Sequence, residues 1–307
     1  MNPQEPTNQS QGTAPIGVVL MAFGKPQYYW AAYNLAHSIK RFNKAVQIAL
    51  ISESITKDSR YYCPELTDVI DVYVDLPSSN IYSDKKLNPA KAKLLVYDLL
   101  PFQENLLLDV DAVCLKDIEP LLKHLSSSDK DYQTMIVGKH KIEQGRDFKE
   151  MLWAYADTAW EHYNLPSDAT LIATNSSAQF IRKGDKAQAL YSKASDLLIN
   201  NPIPLHKLRT KWGGGQPDEL YINIALCLLD MDAALDTDIV YVTSKRELDF
   251  STIQSNYYLM GYYGGQGYTP RYYIDWLDRL IKSWYQLEGK THKYYIHRII
   301  EHKYVNR

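Results

Sequence analysis

Residues 106–115, LLLDVDAVCL, hold the pattern that decides the fold of this chain. Three leucines followed by carboxylates that alternate with small or branched apolar residues are typical of a buried strand ending in a polar loop. Asp109 and Asp111 are two residues apart, a spacing that points both side chains to one face of an extended backbone. A divalent cation would relieve their repulsion, because carboxylate oxygens are its preferred ligands. Taken alone, the stretch fits a metal site and a plain turn after a strand equally well.

Strands and helices alternate around this stretch. Residues 16–22 (IGVVLMA), 46–52 (VQIALIS) and 69–74 (VIDVYV) are apolar, β-branched runs, and residues 28–42 have helical periodicity. Such alternation predicts an α/β fold, a parallel sheet with helices on both faces. Ligands of doubly wound sheets bind beyond the carboxyl ends of the strands. The first half of the chain therefore predicts a nucleotide-binding crevice with the two aspartates at its rim.

The segments that follow the third strand are expected to complete the crevice. A helix is predicted over residues 88–100, with Lys91 and Lys93 in its first turns, directly before the aspartate strand. In the less regular second half we expect a strand over 134–138 with a loop over 139–145, two short strands flanking a polar turn within 171–182, a glycine-rich loop over 211–219, a helix over 220–229 and a strand over 239–242.

Composition limits the class of protein. A formal net charge of −2 and 45% hydrophobic residues are ordinary for a soluble globular protein and argue against nucleic-acid binding through the overall field. Three cysteines, Cys63, Cys114 and Cys227, are far apart, which favours reduced thiols and a cytoplasmic location over a zinc site or disulfides. No segment approaches the ~20 apolar residues of a membrane span, and the polar start has no signal-peptide core.

We predict three regions along the chain. Residues 1–15 are expected to be a disordered leader, residues 16–245 the main domain, and residues 246–307 an aromatic-rich, helical C-terminal extension. The last segment, residues 290–307, has five Lys or Arg against one Glu. Such a basic helix is usually a solvated packing helix, and peripheral docking on an anionic surface is the less favoured interpretation.

Three motifs occur in the order found in metal-dependent glycosyltransferases. The strand ending at Asp109–Val–Asp111, the sequence Asn175–Ser176–Ser177, and residues 215–219 (GQPDE) followed by Asn223 resemble the motifs of the GT-A fold, and are most similar to the family 8 group of retaining enzymes. The resemblance covers residues 16–242 in motif order. It implies a Rossmann-like GT-A fold, a mainly parallel central sheet flanked by helices, and transfer from a nucleotide diphosphate sugar.

The resemblance also implies roles for individual residues. Asp109 and Asp111 would bind Mn²⁺ or Mg²⁺, with Asp109 also near the nucleotide ribose. The implied donor-binding residues are Ala22, Phe23, Lys91, Lys93, Asp109, Ser176, Gly215 and Gln216. Asn175, Asp218 and Glu219 would lie beside the transferred sugar and its anomeric carbon. The metal would neutralise charge on the departing diphosphate, while a carboxylate orients the sugar or stabilises an oxocarbenium-like centre.

Three departures from the family pattern affect these roles. Ser177 replaces a glycine, and Pro217 precedes a single acidic pair in place of a longer acidic run. The family's late His-x-Gly metal motif is missing, and residues 260–267 (MGYYGGQG) stand in its place. The third protein ligand could be His292 or His297, or the two aspartates could hold the metal with diphosphate and water.

Two other functions fit part of the sequence. Asp109–Val–Asp111–Ala–Val113 matches the nucleophile motif of haloacid-dehalogenase-like phosphatases, in which Asp109 would attack phosphorus. That motif normally opens its fold, whereas three strands precede it here. A non-catalytic sugar-binding protein on the same fold is the second alternative. We predict a glycosyltransferase that uses a nucleotide-sugar donor, with uridine favoured, and whose acceptor is a glycan, protein, lipid or modified nucleic acid.

Overall fold

The computed structural model describes residues 15–24, 26–53, 64–83, 86–141, 154, 156–208, 217–235, 239–243 and 250–262. The strands are β1 (Ile16–Ala22), β2 (Ile48–Ser52), β3 (Val72–Asp75), β4 (Tyr82–Ser83), β5 (Lys86–Leu87), β6 (Glu104–Leu108), β7 (Ala112–Cys114), β8 (Tyr132–Lys141), β9 (Thr170–Arg182), β10 (Val240–Thr243) and β11 (Leu259–Tyr262). The helices are α1 (Pro26–Phe42), α2 (Ser78–Ile81), α3 (Pro89–Leu94), α4 (Glu119–Ser127), α5 (Ala156–Tyr163), α6 (Asp185–Asn200), α7 (Asp218–Leu228) and α8 (Phe250–Asn256).

A six-stranded sheet forms the centre of the molecule. Its strand order is β3-β2-β1-β6-β9-β8, in which the first four strands are parallel and β9 and β8 are antiparallel additions. The predicted α/β architecture with a mainly parallel sheet is therefore confirmed. The predicted bounds of β2 and β3 differ from the observed ones by up to three residues, because strand ends depend on their neighbours.

The apolar runs form strands because both faces of the sheet are covered. Val19 and Met21 pack with α3, α6 and α7, whereas Val18 and Leu20 pack with α1 and α4 on the opposite face. Successive side chains of a strand point to opposite faces, so a strand buried on both sides needs apolar residues at every position. This arrangement gives the molecule one core on each side of the sheet and leaves the carboxyl ends of the strands for the site.

A second, three-stranded sheet begins directly after the aspartates. It has the order β10-β11-β7, with β10 parallel and β7 antiparallel to β11. Gly261 of β11 pairs with Ala112, the residue after Asp111. The late segment that replaces the family's metal motif therefore begins next to the aspartate loop, although only its first residues, up to Tyr262, are described.

The helix predicted over residues 88–100 is interrupted. Asn88 caps the amino end, where its side chain accepts a hydrogen bond from the Lys91 N–H, and α3 ends at Leu94. The Val96 N–H bonds to the Lys93 carbonyl, a tighter turn that leads into a 3₁₀ helix over Tyr97–Leu99. Leu100 is extended, with ψ 124°, because Pro101 follows it. A continuous helix was therefore the wrong prediction here.

Several predictions lie outside the described residues. The leader except for residue 15, and the C-terminal residues 263–307 with the basic segment, belong to this group. The proposed boundary at residue 245 stays a prediction. In the part of the chain that the structure describes, there is no helix long and apolar enough to cross a membrane.

Candidate active site

Strands β1, β2 and β6 end at one edge of the central sheet. Ala22 at the end of β1 pairs with Ser52 of β2, and Leu108 at the end of β6 pairs with Leu20. Asp109 follows Leu108 immediately, and its backbone N–H donates to the Ser177 carbonyl of β9 at 3.0 Å. The aspartates therefore lie at the carboxyl end of a strand, as predicted.

One lysine lies among the carboxylates at this edge. The Lys93 ammonium of α3 is 2.6 Å from an Asp109 carboxylate oxygen and 3.8 Å from Asp218, which is the first residue of α7. The charges of Glu219 and Asp111 also act on this ammonium group. Lys93 therefore pairs with two carboxylates, and two more add negative charge to the site, so the five side chains carry a formal charge of three negative when all are ionised.

Burial and neighbouring charge change the protonation of the site. Burial and the neighbouring charge of Asp109 raise the pKa of Asp111 to about 7, against a partial lowering by Lys93. Burial also raises the pKa of Asp218, and Lys93 only partly offsets this effect. Burial acts to lower the pKa of Lys93, but Asp109 and Asp218 outweigh it, so the pKa lies above its ordinary value. Lys93 therefore stays charged, while Asp111 and Asp218 are harder to ionise than ordinary aspartates.

The predicted turn within residues 171–182 is a bulge in one continuous strand, so the prediction of two short strands was wrong. Thr134 of β8 pairs with Gln179 of β9, but the next residue, Met135, pairs with Asn175. Residues 176–178 are therefore extra in this register, as in a β-bulge. A turn was predicted from the polarity of residues 174–177, but contacts with distant residues satisfy these polar groups within the strand, as in the bond from the Ser176 hydroxyl to Glu219. Similarly, β8 continues to Lys141 where a loop was expected from residue 139.

The bulge brings Ser176 to the acidic start of α7. The Ser176 hydroxyl donates to a Glu219 carboxylate oxygen at 3.1 Å, and the Ser176 N–H approaches the same oxygen at 3.5 Å. The Asn175 side-chain oxygen accepts from the Ser177 N–H at 2.9 Å, which is the local capping role common for asparagine. Ser176 thus fixes Glu219 directly, whereas Asn175 stabilises the bulge that presents Ser176.

A second link holds β9 and α7 together. The fully buried Asn223 side chain accepts two hydrogen bonds from Thr174, at 3.1 Å from the backbone N–H and 2.7 Å from the hydroxyl. Asn223 lies just over one helical turn after Asp218. Its contact with Thr174 therefore fixes the position of the first turn of α7 along β9. The asparagine of the third motif therefore pairs with Thr174, the residue directly before the second motif.

A tight turn at Gly24 follows β1. Gly24 has a φ of +77°, and its N–H donates at 2.9 Å to the carboxylate of Glu53, the residue after β2. A side chain at Gly24 would place its Cβ 3.0 Å from Leu87. The side chains of Ala22 and Phe23 are buried in the two cores. Glu53 was missed in the sequence, although an acidic residue directly after an apolar strand was the available signal.

The two candidate lysines of α3 have different surroundings. The Lys91 ammonium donates to the Tyr82 carbonyl at 3.2 Å, whereas Lys93 lies between the carboxylates. The structure therefore brings Lys93, and not Lys91, to the aspartate pair.

Gln179 and two buried tyrosines stabilise the bulge in β9. The Gln179 side-chain oxygen accepts from the hydroxyls of Tyr132 at 2.9 Å and Tyr191 at 3.0 Å. The Gln179 amide nitrogen donates to the Ser176 carbonyl at 3.3 Å. This positioning group was also missed. The sequence feature that could have indicated it is a single long polar residue, Gln179, within the apolar run at the end of β9.

Asp109 and Asp111 supply oxygen ligands of the kind that Mg²⁺ and Mn²⁺ prefer. Among the described residues, no lysine or arginine forms an ion pair with Asp111, and burial together with the charge of Asp109 raises its pKa. The two carboxylates therefore fit a divalent cation. No group of three or more His, Cys, Asp or Glu suited to a metal occurs within the ranges that the structure describes. Gly215, Gln216 and His292 lie outside those ranges.

Comparisons with known proteins support the architecture. No protein-family model matches the sequence, and no curated protein matches it. The chain is similar to the solved structure of WbbM, a bifunctional glycosyltransferase, with a TM-score of 0.58 and 12% identity over 97% of this chain and 53% of that chain. It is also similar to the galactosyltransferase LgtC, solved with donor and acceptor sugar analogues, with a TM-score of 0.53 and 11% identity over 92% of this chain and 99% of that chain.

The likeness to these two proteins concerns the fold. The chain spans about half the length of the WbbM chain that it matches. At 11% and 12% identity the likeness concerns the fold, and the chain has the mixed α/β fold of these glycosyltransferases. The predicted Rossmann-like GT-A fold is thereby confirmed.

Proposed function

We propose that the protein is a glycosyltransferase that transfers a sugar from a nucleotide diphosphate donor to an acceptor. The observation that carries the proposal is the convergence of Lys93, two aspartates after β6 and the acidic start of α7 at one sheet edge. A glycosyltransferase fold alone would not require these groups to meet. The phosphatase alternative is less favoured, because its nucleophile motif would stand on the fourth strand of the central sheet along the chain.

Charge gives the reason for a metal. A diphosphate would be repelled by a group of side chains with a formal charge of three negative. A bound Mn²⁺ or Mg²⁺ would neutralise charge on the diphosphate as it leaves the sugar. Asp111 would hold this ion directly, Asp109 would hold it directly or through water, and Lys93 would contact the diphosphate oxygens. A third protein ligand such as His292 stays part of the proposal.

The remaining residues would hold the two ends of the donor. Ala22, Phe23 and Glu53 lie where β1 and β2 end, and we place the nucleoside there, with uridine favoured. Asp218 and Glu219 would face the sugar, with Glu219 oriented by Ser176. A carboxylate in that position orients sugar hydroxyls or stabilises an oxocarbenium-like centre. Asn175, Gly215 and Gln216 would complete the sugar site beside them, and the family 8 likeness favours retention at the anomeric carbon.

The acceptor is proposed only by class. A glycan, protein, lipid or modified nucleic acid would approach over the second half of the chain, where the sequence departs most from the family motifs. A cytoplasmic location belongs to the same proposal, whereas docking through the basic C-terminal segment stays the less favoured interpretation of that segment.

Donor hydrolysis with a panel of nucleotide sugars tests the function. We expect Mn²⁺-dependent release of a nucleoside diphosphate, loss of this release in Asp111→Ala, and unchanged release in Asp196→Ala, which alters a surface aspartate of α6. Proton NMR of the first product sugar would report the anomeric configuration.

Two results would contradict the proposal. Phosphate release from simple phosphate esters without nucleotide-sugar hydrolysis would identify a phosphatase. Binding of a nucleotide sugar without turnover, in the presence of Mn²⁺ and of acceptor extracts, would identify a non-catalytic binding protein.

A further inference from the structure

The ammonium of Lys93 occupies the place of a cation at Asp109. Its nitrogen is 2.6 Å from one carboxylate oxygen, and the Lys93 and Asp109 side chains are 24% and 27% exposed. A metal ion bound to the same carboxylate would lie a few ångströms from this ammonium group. Two cations that close repel each other, so one must leave when the other arrives.

Among the described residues, the second carboxylate within ion-pair distance of Lys93 belongs to Asp218. Asp218 is 3.8 Å away, and this contact exists alongside the shorter pair with Asp109, so it is not a new partner for a displaced ammonium. A metal that arrives alone therefore removes the close partner of Lys93 without supplying a new one. A diphosphate that arrives with the metal supplies oxygen acceptors for the displaced ammonium.

We propose that Lys93 competes with the divalent cation for Asp109, and that transfer of its ammonium to the donor's diphosphate makes metal and donor bind cooperatively. The proposal rests on the proposed function for the identity of the donor. Asn88 caps α3 and Pro89 begins it, so the helix is fixed at its start and the side chain provides the movement. Coupling of this kind is reciprocal, so UDP strengthens metal binding by the factor by which metal strengthens UDP binding.

The test measures Mn²⁺ binding through the electron paramagnetic resonance signal of free Mn²⁺, with and without UDP. Without UDP, the Lys93→Met variant should bind Mn²⁺ about tenfold more tightly than the wild type, a factor typical of coupled sites. UDP should strengthen Mn²⁺ binding about tenfold in the wild type and much less in the variant. Lys93→Gln, which keeps a hydrogen-bond donor without the charge, should behave as Lys93→Met does.

Lys130→Met is the matched control. Lys130 forms a lysine–aspartate pair of similar length, 2.7 Å, with Asp232 outside the site. This variant should bind Mn²⁺ as the wild type does, with and without UDP. Thermal unfolding would establish that each variant is folded before its binding is compared.

Failure of the proposal and failure of the proposed function give different results. Wild-type protein that binds UDP and Mn²⁺ together, with no gain in Mn²⁺ affinity in either Lys93 variant without UDP, would overturn the competition and leave the function intact. Wild-type protein that binds no UDP at all would overturn the proposed function and the coupling. Tighter Mn²⁺ binding by the Lys93 variants would then still support competition at Asp109.

Discussion

Replacing Asp111 with asparagine should stabilise the metal-free protein by an amount that grows with pH. Burial and Asp109 raise the pKa of Asp111 from an ordinary 3.8 to about 7 in the folded protein. Between these values the folded chain holds a proton that the unfolded chain has lost. The contribution of Asp111 to stability is therefore highest below about pH 4, falls as the pH rises, and reaches its lowest value above about pH 7.

The magnitude follows from the two pKa values. At about 1.4 kcal/mol per pKa unit, the ionisation of Asp111 costs about 2 kcal/mol of folding free energy at pH 5.5 and about 4 kcal/mol at pH 8. Asparagine has nearly the same shape and does not titrate. The stabilisation by Asp111→Asn should therefore increase by about 2 kcal/mol between these pH values, whatever constant difference the substitution adds.

Urea unfolding in the presence of EDTA, at pH 5.5 and pH 8, measures this increase. Asp196→Asn on α6 is the control, and its difference from the wild type should be the same at both pH values. An Asp111→Asn effect that is constant with pH, or that turns destabilising at pH 8, would refute the reasoning about charge at the site. Mn²⁺ with UDP should stabilise the wild type and leave Asp111→Asn unchanged, because the added ligands bind the folded state only where the carboxylate is present.

Three further changes test other parts of the molecule. Ser176→Ala should lower turnover about tenfold, because the hydrogen bond to Glu219 is worth about 1.5 kcal/mol, while Ser177→Ala stays within about twofold in the same steady-state assay. Gln179→Leu should destabilise the protein by about 2–4 kcal/mol in urea, because two buried tyrosine hydroxyls lose their acceptor; a loss below about 1 kcal/mol would contradict that role. Truncation after Gly289 should leave donor hydrolysis unchanged and abolish any binding to anionic vesicles, and a truncated chain that still binds them would exclude the C-terminal docking segment.

The central strands were predictable because burial on both faces leaves a local signature. β1 and β2 are continuous apolar runs, and each side chain enters one of the two cores. The position of Asp109 after β6 followed from the same pattern. Local sequence could not predict that α3 ends at Leu94. The residues after Leu94 are compatible with a continuing helix, but the chain forms a tighter turn there.

The assembly of the site was harder to predict because it depends on contacts distant in sequence. Polarity placed a turn at Ser176, but Glu219, 43 residues later, satisfies its hydroxyl within a bulged strand. Choosing Lys93 over Lys91 required the path of α3 beside β6 and α7. The support that Gln179 gives through Tyr132 and Tyr191 joins three elements and has no short-range pattern.

The charge balance of the site argues that it binds a cation. The described ion pairs elsewhere match one cation with one carboxylate, as in Lys40 with Asp71 and Arg182 with Glu104. At the carboxyl end of β6, Lys93 pairs with both Asp109 and Asp218, and Asp111 and Glu219 add further negative charge. Stability alone would select against such a group, since like charges raise each other's cost of ionisation. A site that receives positive charge with its ligand accounts for the imbalance, and under the proposed function an anionic donor would arrive together with a cation.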